Sequence, residues 1–231
     1  MRVGVNPLES LKEQRIRAAK ASGGTSSDVI ADRIVEIVKQ SDLRGSLLDF
    51  GAGIGNLTRR VSALNRFEEI AGADILPRPA DLSGAISWHC LDLNQAEALP
   101  KASFDVVIAA EVIEHLENPR AVAREWYRVL KSGGWLVLST PNNESLRSLT
   151  ALLFRGHYVE FGDSGYPAHI TALLRKDLSR ILQESGFSDV SFHFTNRGGV
   201  PGLPATSWQQ LSFGLFKGCR FSDNVIATAR K

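Results

Sequence analysis

The sequence predicts one α/β domain built on a doubly wound, mostly parallel sheet of seven strands with an antiparallel strand at its C-terminal edge. The first observation is a series of short apolar runs at residues 47–50, 70–73, 86–91, 106–110 and 135–139. Such runs suit strands that are buried on both faces. The second is that longer amphipathic stretches separate the runs, and strands that alternate with helices form a parallel sheet. At 231 residues the chain is long enough for one such core, so residues 1–231 are expected to form a single domain.

The covering helices can be placed from apolar spacing and end signals. After Thr25-x-x-Asp28, which has the form of a capping box, five apolar residues recur at helical spacing: Val29, Ile30, Ile34, Ile37 and Val38. Residues 121–130 form a second helix and residues 176–185 a third. Residues 1–24 are expected to form a helical extension before this pattern begins.

The alternation of strands and helices is interrupted after residue 141, and residues 142–170 are interpreted as an inserted segment that covers the site like a lid. Three leucines in it, Leu146, Leu149 and Leu153, have helical spacing and are expected to dock onto the core. Its aromatic residues, together with two from the tail, are expected to line an apolar acceptor pocket: Phe154, Tyr158, Phe161, Tyr166, Trp208 and Phe213. Residues 190–194 and 224–229 predict two late strands that form the antiparallel edge, and residues 198–204 predict a loop between them.

The amino-acid composition limits the classes of partner and the location that can be expected for this chain. The 27 Lys and Arg residues nearly balance 25 Asp and Glu residues, so the total charge gives no argument for nucleic acid or a membrane surface and favours a small, nearly neutral ligand. No apolar run is long enough to span a bilayer, and residues 1–4 do not open a signal peptide, so a cytoplasmic location is expected. The two cysteines, Cys90 and Cys219, are interpreted as ordinary thiols.

A glycine-rich turn follows the first strand. Asp49 is followed by Gly51, Gly53 and Gly55, and the next residues, 56–64, have a helical pattern. Glycine lets the chain turn sharply from strand to helix and brings its backbone close to a ligand. A dinucleotide-binding turn has two residues between its second and third glycines, whereas only one lies between Gly53 and Gly55. The spacing therefore favours a nucleoside without a pyrophosphate.

Acidic residues end the next two strands. Asp74 lies 19 residues after Gly55, where a carboxylate can accept both hydroxyls of a ribose; the alternative is a helix cap before Pro77. Asp92 ends the third strand, where it can accept a hydrogen bond from an adenine amino group beside the Leu93 amide; the alternative is a solvated turn aspartate.

Five motifs, in order and spacing, resemble those of class I S-adenosylmethionine (SAM)-dependent methyltransferases. They are residues 47–58, Gly72-Ala73-Asp74, residues 99–105, Glu111-Val112-Ile113-Glu114-His115-Leu116, and residues 130–142 around the fifth strand. The pattern is most similar to ubiquinone-biosynthesis O-methyltransferases and to kindred enzymes that act on sugars, lipids and secondary metabolites. The resemblance covers roughly residues 25 to 190 and implies the Rossmann-like form of the predicted fold.

The resemblance also implies the roles of individual residues. The methionine end of SAM would be held by Asp49, Gly51, Ala52, Gly53, Gly55 and Asn56; the ribose by Asp74 with Ile75; and the adenine by Asp92 with Leu93. Glu111 would face the methyl group. One departure is that Pro77 and Pro79 shorten or remove the helix usual after the second strand.

Methyl transfer from a sulfonium mainly requires alignment of the acceptor and exclusion of water, and a general base assists when the acceptor is a hydroxyl. The candidate catalytic residues are His169, Glu111 and His115, with His157 as a further histidine of the insertion. Because Glu111, Glu114 and His115 have i, i+3, i+4 spacing, a helix would place them on one face. With His169 they resemble the ion site of metal-dependent RNA 2′-O-methyltransferases, although the same string also occurs in relatives without a metal, and no metal ligand is assigned.

The sequence therefore predicts a SAM-dependent O-methyltransferase for a small-molecule, saccharide or lipid-linked acceptor. Two alternatives stay open: a metal-dependent RNA 2′-O-methyltransferase, and a nucleoside-binding module without activity.

Overall fold

A computed structural model describes residues 10–231, apart from the side chains of residues 96–98 and 204. Residues 1–9, the start of the expected N-terminal extension, lie outside the described residues. The strands of the described part are β1 (Gly45–Phe50), β2 (Phe67–Asp74), β3 (Ser87–Cys90), β4 (Phe104–Ala110), β5 (Leu130–Pro141), β6 (Ser188–Phe194), β7 (Gly199–Val200), β8 (Leu203–Ser207) and β9 (Asn224–Arg230).

The helices of the same part are α1 (Leu11–Ala21), α2 (Asp28–Gln40), α3 (Asn56–Ser62), α4 (Pro119–Val129), α5 (Leu146–Arg155), α6 (Arg175–Glu184) and α7 (Trp208–Leu211). Short 3₁₀ segments cover Leu93–Ala98, Ile113–His115, Val159–Phe161 and Cys219–Phe221.

Seven strands form one sheet in the order β3-β2-β1-β4-β5-β9-β6. Neighbouring strands are parallel except at β9, which pairs antiparallel with both β5 and β6. The predicted Rossmann-like, doubly wound sheet with its C-terminal antiparallel strand is confirmed. Strand β9 lies second from the edge, so that β6 closes the sheet.

The sheet is covered by helices on both faces, and alternate residues of each strand point to opposite layers. Leu47 of β1 and Val106 of β4 pack in the layer that contains α2 and α3. Leu48 and Val107, one residue further along, pack in the layer of α4 and α6, whose Trp126 is fully buried. This two-sided burial explains why the strands have continuous apolar runs.

Three local predictions are wrong. Helix α2 begins at Asp28 with Ser27 as its N-cap, and no side chain caps it, so Thr25 does not form the expected capping box. Residues 198–204 are not a plain loop, because β7 and β8 pair there as a small antiparallel hairpin. The third concerns the leucines of the insertion.

The insertion contains α5, whose buried residues are Ser148 and Ala151. Leu153, expected to dock onto the core, is 76% exposed. The helix therefore turns part of its apolar surface outward.

Between β2 and β3 no helix forms among the described residues, as Pro77 and Pro79 predict. Nowhere in residues 10–231 is there a helix both long and apolar enough to cross a membrane.

Candidate cofactor and acceptor site

A cavity of about 580 Å³ opens at the carboxyl edge of the sheet. Its floor is formed by the residues that end or follow β1, β2, β3 and β4, because parallel strands bring their carboxyl ends to one edge. The first residue of β9, Asn224, joins them because this strand runs in the opposite direction. Helix α1 and the segment from Glu160 to Ile170 form the walls.

The glycine turn lies against the N-terminal segment. Gly51 and Gly53 have φ values of 82° and 53°, which favour glycine. A Cβ on Gly53 would lie 2.0 Å from the carbonyl oxygen of Gly24, and this oxygen accepts a hydrogen bond of 2.9 Å from the Ile54 amide. Gly51 and Gly53 line the cavity together with Ala52 and Asn56. Gly55 is not among the lining residues and instead forms the N-cap of α3.

Asp49 lies under this turn with a side chain that is almost completely buried. Its Oδ2 accepts a hydrogen bond of 2.6 Å from the hydroxyl of Thr58. Burial disfavours the charged form and raises the pKa of Asp49 to about 6, while the Thr58 hydrogen bond acts in the opposite direction. A cationic ligand group beside Asp49 would therefore be bound strongly, since it would supply the missing counter-charge.

Asp74 ends β2 and holds the turns on either side of it. Its Oδ2 accepts from the Gly53 amide at 2.8 Å, and its Oδ1 accepts from the Leu76 amide at 2.8 Å. Burial raises its pKa, and these amide hydrogen bonds partly compensate. Both Asp74 and Ile75 line the cavity. Since no helix follows Asp74, the alternative of a helix cap is wrong, although the carboxylate does organise a turn.

Asp92 and Leu93 line the next part of the cavity, and Asp92 is held by a residue that sequence reasoning missed. Arg15 of α1 donates from Nη1 to Asp92 Oδ2 at 2.6 Å and from Nη2 to Glu117 Oε2 at 2.8 Å. The Arg15 and Asp92 side chains are 14% and 13% exposed, so water screens this pair only partly. The pair fastens α1 across the cavity. No sequence signal connects residue 15 with residue 92.

Glu111 follows β4 in a left-handed conformation with φ 56°. Its side chain accepts hydrogen bonds from the Ser139 hydroxyl at 2.8 Å and from the Asn224 amide at 3.0 Å. Desolvation raises its pKa to about 7. The expectation that Glu111, Glu114 and His115 share one helical face is wrong, because the 3₁₀ turn includes only Ile113–His115. Asn224 could have been inferred, since an antiparallel strand begins at the carboxyl edge.

Glu114 is completely buried behind Glu111. Its Oε2 accepts from the Thr140 hydroxyl at 3.0 Å, whereas its Oε1 has no hydrogen-bond partner in the described part of the chain. Burial raises its pKa well above the ordinary value, and the nearby Glu111 adds to this effect. Its carbonyl oxygen accepts from the amides of Ile170 and Thr171, which ties the end of the insertion to the sheet.

His115 and His169 lie next to each other with ring centroids 4.8 Å apart. The Nδ1 of His115 is 2.8 Å from the Ala168 carbonyl oxygen, and the Nδ1 of His169 is 2.8 Å from the Glu160 carbonyl oxygen. A carbonyl can only accept, so each Nδ1 carries the hydrogen and a neutral ring has its lone pair on Nε2. Desolvation lowers the pKa of His115. One potential ligand atom from each of Glu114, His115 and His169 lies within 4.8 Å of the others.

Other predicted site residues lie elsewhere. Tyr166 lines the cavity, but Tyr158 and Phe161 are not lining residues and pack against each other. Trp208 packs against aromatic neighbours in the tail, and Phe154 and Phe213 are 80% and 96% exposed. None of these three lines the cavity, so the expectation for them is wrong. His157 is also outside the lining, and its Nδ1 faces the carbonyl of Tyr158. Both cysteines are free thiols.

The fold is the Rossmann-like fold of class I methyltransferases. The structure is similar to the crystal structure of a SAM-dependent methyltransferase from Archaeoglobus fulgidus, with a TM-score of 0.61, 19% sequence identity, and coverage of 94% of this chain and 98% of that chain. At this identity the likeness concerns the fold.

The sequence is similar to several ubiquinone biosynthesis O-methyltransferases. It is 28% identical over 186 residues to the mitochondrial protein of Candida albicans, which covers 75% of this chain and 55% of the relative. It is 30% identical over 178 residues to the protein of Xanthomonas oryzae pv. oryzae, covering 66% of this chain and 72% of the relative. The chain thus spans little more than half the length of the Candida protein.

The family model of the methyltransferase domain matches residues 24–191, which is most of the chain. The chain therefore belongs to the methyltransferase domain family, as a class I SAM-dependent methyltransferase. Its cofactor is S-adenosylmethionine.

Proposed function

We propose that SAM lies along the carboxyl edge of the sheet, with its methionine end at Asp49, its ribose at Asp74 and its adenine at Asp92. The support for this placement is that the three acids line one cavity in the order in which β1, β2 and β3 stand side by side. The ammonium group of the methionine end would face the buried Asp49, because a cation there supplies the counter-charge that this carboxylate lacks. The methyl group would then point toward Glu111.

We further propose that the chain methylates a hydroxyl oxygen of a small-molecule, saccharide or lipid-linked acceptor. The observation that carries this proposal is the 2.8 Å contact between His169 Nδ1 and the Glu160 carbonyl oxygen at the wall of the cavity. Because a carbonyl can only accept, this contact favours the hydrogen on Nδ1 and leaves Nε2 to act as a base. Bound SAM would supply the methyl group and its sulfur would take the electron pair of the broken carbon–sulfur bond, while Nε2 of His169 would accept the proton of the acceptor hydroxyl. The names of the two relatives also favour oxygen as the acceptor atom.

The test is transfer of a labelled methyl group from SAM to a panel of phenols, nucleotide sugars, lipids, amines and RNAs. The proposal expects label on hydroxyl acceptors, with a rate that falls in His169→Ala and is retained in His157→Ala, a matched histidine outside the cavity. Label on amines alone would contradict oxygen as the target. A best rate on RNA would instead favour the nucleic-acid alternative. The expected cytoplasmic location stays a prediction.

A second candidate is methyl transfer assisted by a divalent cation. Two specific observations favour it: Oε1 of buried Glu114 has no hydrogen-bond partner in the described part of the chain, and one carboxylate oxygen of Glu114 lies within 4.8 Å of a ring nitrogen of His115 and of His169. A carboxylate with two imidazoles can bind a borderline divalent ion, and histidine ligands commonly donate their other ring hydrogen to a carbonyl, as both do here. Such an ion would neutralise Glu114 and acidify an acceptor hydroxyl.

Chelation separates the two mechanisms. If the cation is required, treatment with EDTA abolishes turnover, Mg²⁺ or Mn²⁺ restores it, and Glu114→Gln removes the metal dependence together with the activity. If His169 acts alone as the base, chelation leaves turnover unchanged. Calorimetry with the metal salts provides a readout that does not depend on knowing the acceptor.

A further inference from the structure

Two neighbouring parts of the chain expose large apolar side chains that the fold does not use. At the end of α5, Leu153 and Phe154 are 76% and 80% exposed. In the tail after α7, Phe213 and Leu215 are 96% and 80% exposed. Single exposed apolar residues are common, but a group of large ones indicates an interaction surface.

The tail contacts the start of α5, the helix whose other end carries Leu153 and Phe154. Arg147 of α5 pairs with Asp223 at 3.1 Å, and the side chain of Arg147 borders Gly199 of β7. Arg220, in the tail, donates to the Glu144 carbonyl oxygen just before α5 at 2.7 Å. Within the tail, Phe216 and Phe221 stack with ring centroids 4.6 Å apart, and Phe216 is itself 43% exposed.

The exposure of Phe213 is produced by an unfavourable backbone. Phe213 has φ 50°, and the next residue, Gly214, has φ 82°. A bulky side chain at positive φ is uncommon and costs on the order of 1 kcal/mol, whereas glycine or asparagine would form the same turn with less strain. The turn thus holds an aromatic ring in solvent at a cost in stability. Because the ring is 96% exposed, packing against the rest of the described chain does not offset that cost.

The charge around these side chains is strongly one-sided. Residues 146–158 and 195–222 contain five Arg or Lys residues and no Asp or Glu, although acids and bases are nearly balanced in the whole chain. Asp223 neutralises Arg147. The remaining cations, all exposed, are Arg155, Arg197, Lys217 and Arg220. The near-neutral total charge therefore conceals a positive excess in the same two segments that carry the exposed apolar side chains.

We propose that this face, formed by the end of α5 and the tail from Arg197 to Arg220, docks onto the surface of an anionic lipid membrane. Exposed aromatic and leucine side chains can enter the interface between headgroups and acyl chains, while surrounding cations attract the negative surface. A membrane fits both features, whereas an apolar protein partner would leave the cations unmatched. The docking is peripheral, and it does not depend on which acceptor is methylated.

Vesicle co-sedimentation tests the proposal. The full chain is mixed with vesicles of phosphatidylcholine alone or of phosphatidylcholine and phosphatidylglycerol in equal parts. We expect binding to the anionic vesicles, weak binding to the neutral ones, and release at about 1 M salt, because the charge attraction is screened. Arg155→Gln with Lys217→Gln should weaken binding about 5-fold per removed charge.

The apolar contribution is tested with Phe154→Ser and Phe213→Ser, each expected to weaken binding roughly 10-fold or more. The matched control removes two exposed cations from other helices, Lys39→Gln on α2 and Arg124→Gln on α4, and should leave binding unchanged. Thermal melts check that every variant is folded.

Absence of binding to anionic vesicles would overturn the proposal, as would equal losses in the control and the surface variants. Light scattering measures the oligomeric state and tests whether the same surface instead joins two copies of the chain. If the chain is a dimer that Phe154→Ser and Phe213→Ser convert to a monomer, while vesicles are ignored, the face is an interface between copies and the membrane assignment is wrong.

Discussion

The substitution Asp49→Asn separates the stability cost of the cofactor pocket from its binding function. Burial gives Asp49 a pKa of about 6, compared with an ordinary value of 3.8. Because the folded-state pKa is the higher one, Asp49 favours folding in full below pH 3.8, and this contribution is lost as the pH rises to about 6. Above that pH the buried charge costs on the order of 3 kcal/mol relative to a neutral side chain.

At about pH 7.5, Asp49→Asn removes this cost and keeps an oxygen that can accept the Thr58 hydroxyl. The new amide also brings N–H donors that need partners, so about 3 kcal/mol is the upper limit of the gain. For a chain of this size it corresponds to a rise of several degrees in the melting temperature, up to about 10 °C. The same change removes the anion proposed to face the ammonium group of SAM, so SAM affinity should fall about 10-fold or more.

The assay is a pair of melting curves, with and without SAM, for the wild type and Asp49→Asn between about pH 5 and pH 8, supported by calorimetry of SAM binding. The stability difference should shrink to about half at pH 5, where the wild-type carboxyl is mostly protonated when folded. The control, Asp163→Asn at an exposed aspartate, changes the net charge equally and should alter neither the melting temperature nor the affinity for SAM. A variant that melts lower at pH 7.5, or that binds SAM as tightly as the wild type, would refute the reasoning.

Three further substitutions test the remaining assignments. Asp74→Ala should weaken SAM binding by roughly 1.5–3 kcal/mol by calorimetry, and an unchanged dissociation constant in a folded variant would mean that Asp74 only organises its turns. Arg15→Ala should speed hydrogen exchange throughout α1 by releasing it from Asp92 and Glu117; unchanged exchange would show that other contacts hold the helix. His169→Ala should lower turnover by roughly 10²–10⁴-fold with SAM affinity retained, and a rate within about a factor of two of wild type would exclude a catalytic role.

The sheet could be predicted because each strand carries its own signal. Leu47 and Leu48 belong to opposite layers, and burial on both faces makes the apolar run continuous. Asp74 and Asp92 could be placed at the carboxyl edge for a related reason, since the parallel direction of the strands determines which end of each meets the cavity, whereas the role of Asp49 was implied only by the family resemblance.

The contacts that close the cavity could not be predicted in this way. Arg15 reaches Asp92 across 77 positions of sequence, and the pairing depends on how α1 crosses the sheet. The exposure of Leu153 is a similar case. Helical spacing shows that Leu146 and Leu153 can belong to one helix, but the surroundings of that helix decide which side is covered.

The arrangement around Glu111 shows why the spacing of Glu111, Glu114 and His115 was misleading. A regular helix would have brought the three side chains to one face. Instead, Glu111 adopts φ 56°, and its amide donates to the Ser139 carbonyl oxygen at 3.1 Å. This holds the chain in a conformation that costs glutamate on the order of 1 kcal/mol. The side chain is thereby turned to Ser139 and Asn224, while Glu114 and His115 face His169 on the other side of the turn. A helix would have directed all three side chains to one face, whereas the strained turn gives Glu111 hydrogen-bond partners on β5 and β9. Glu114 nevertheless stays close enough for the Glu111 carboxyl to raise its pKa further, so the turn changes the partners of the two acids without removing the repulsion between them.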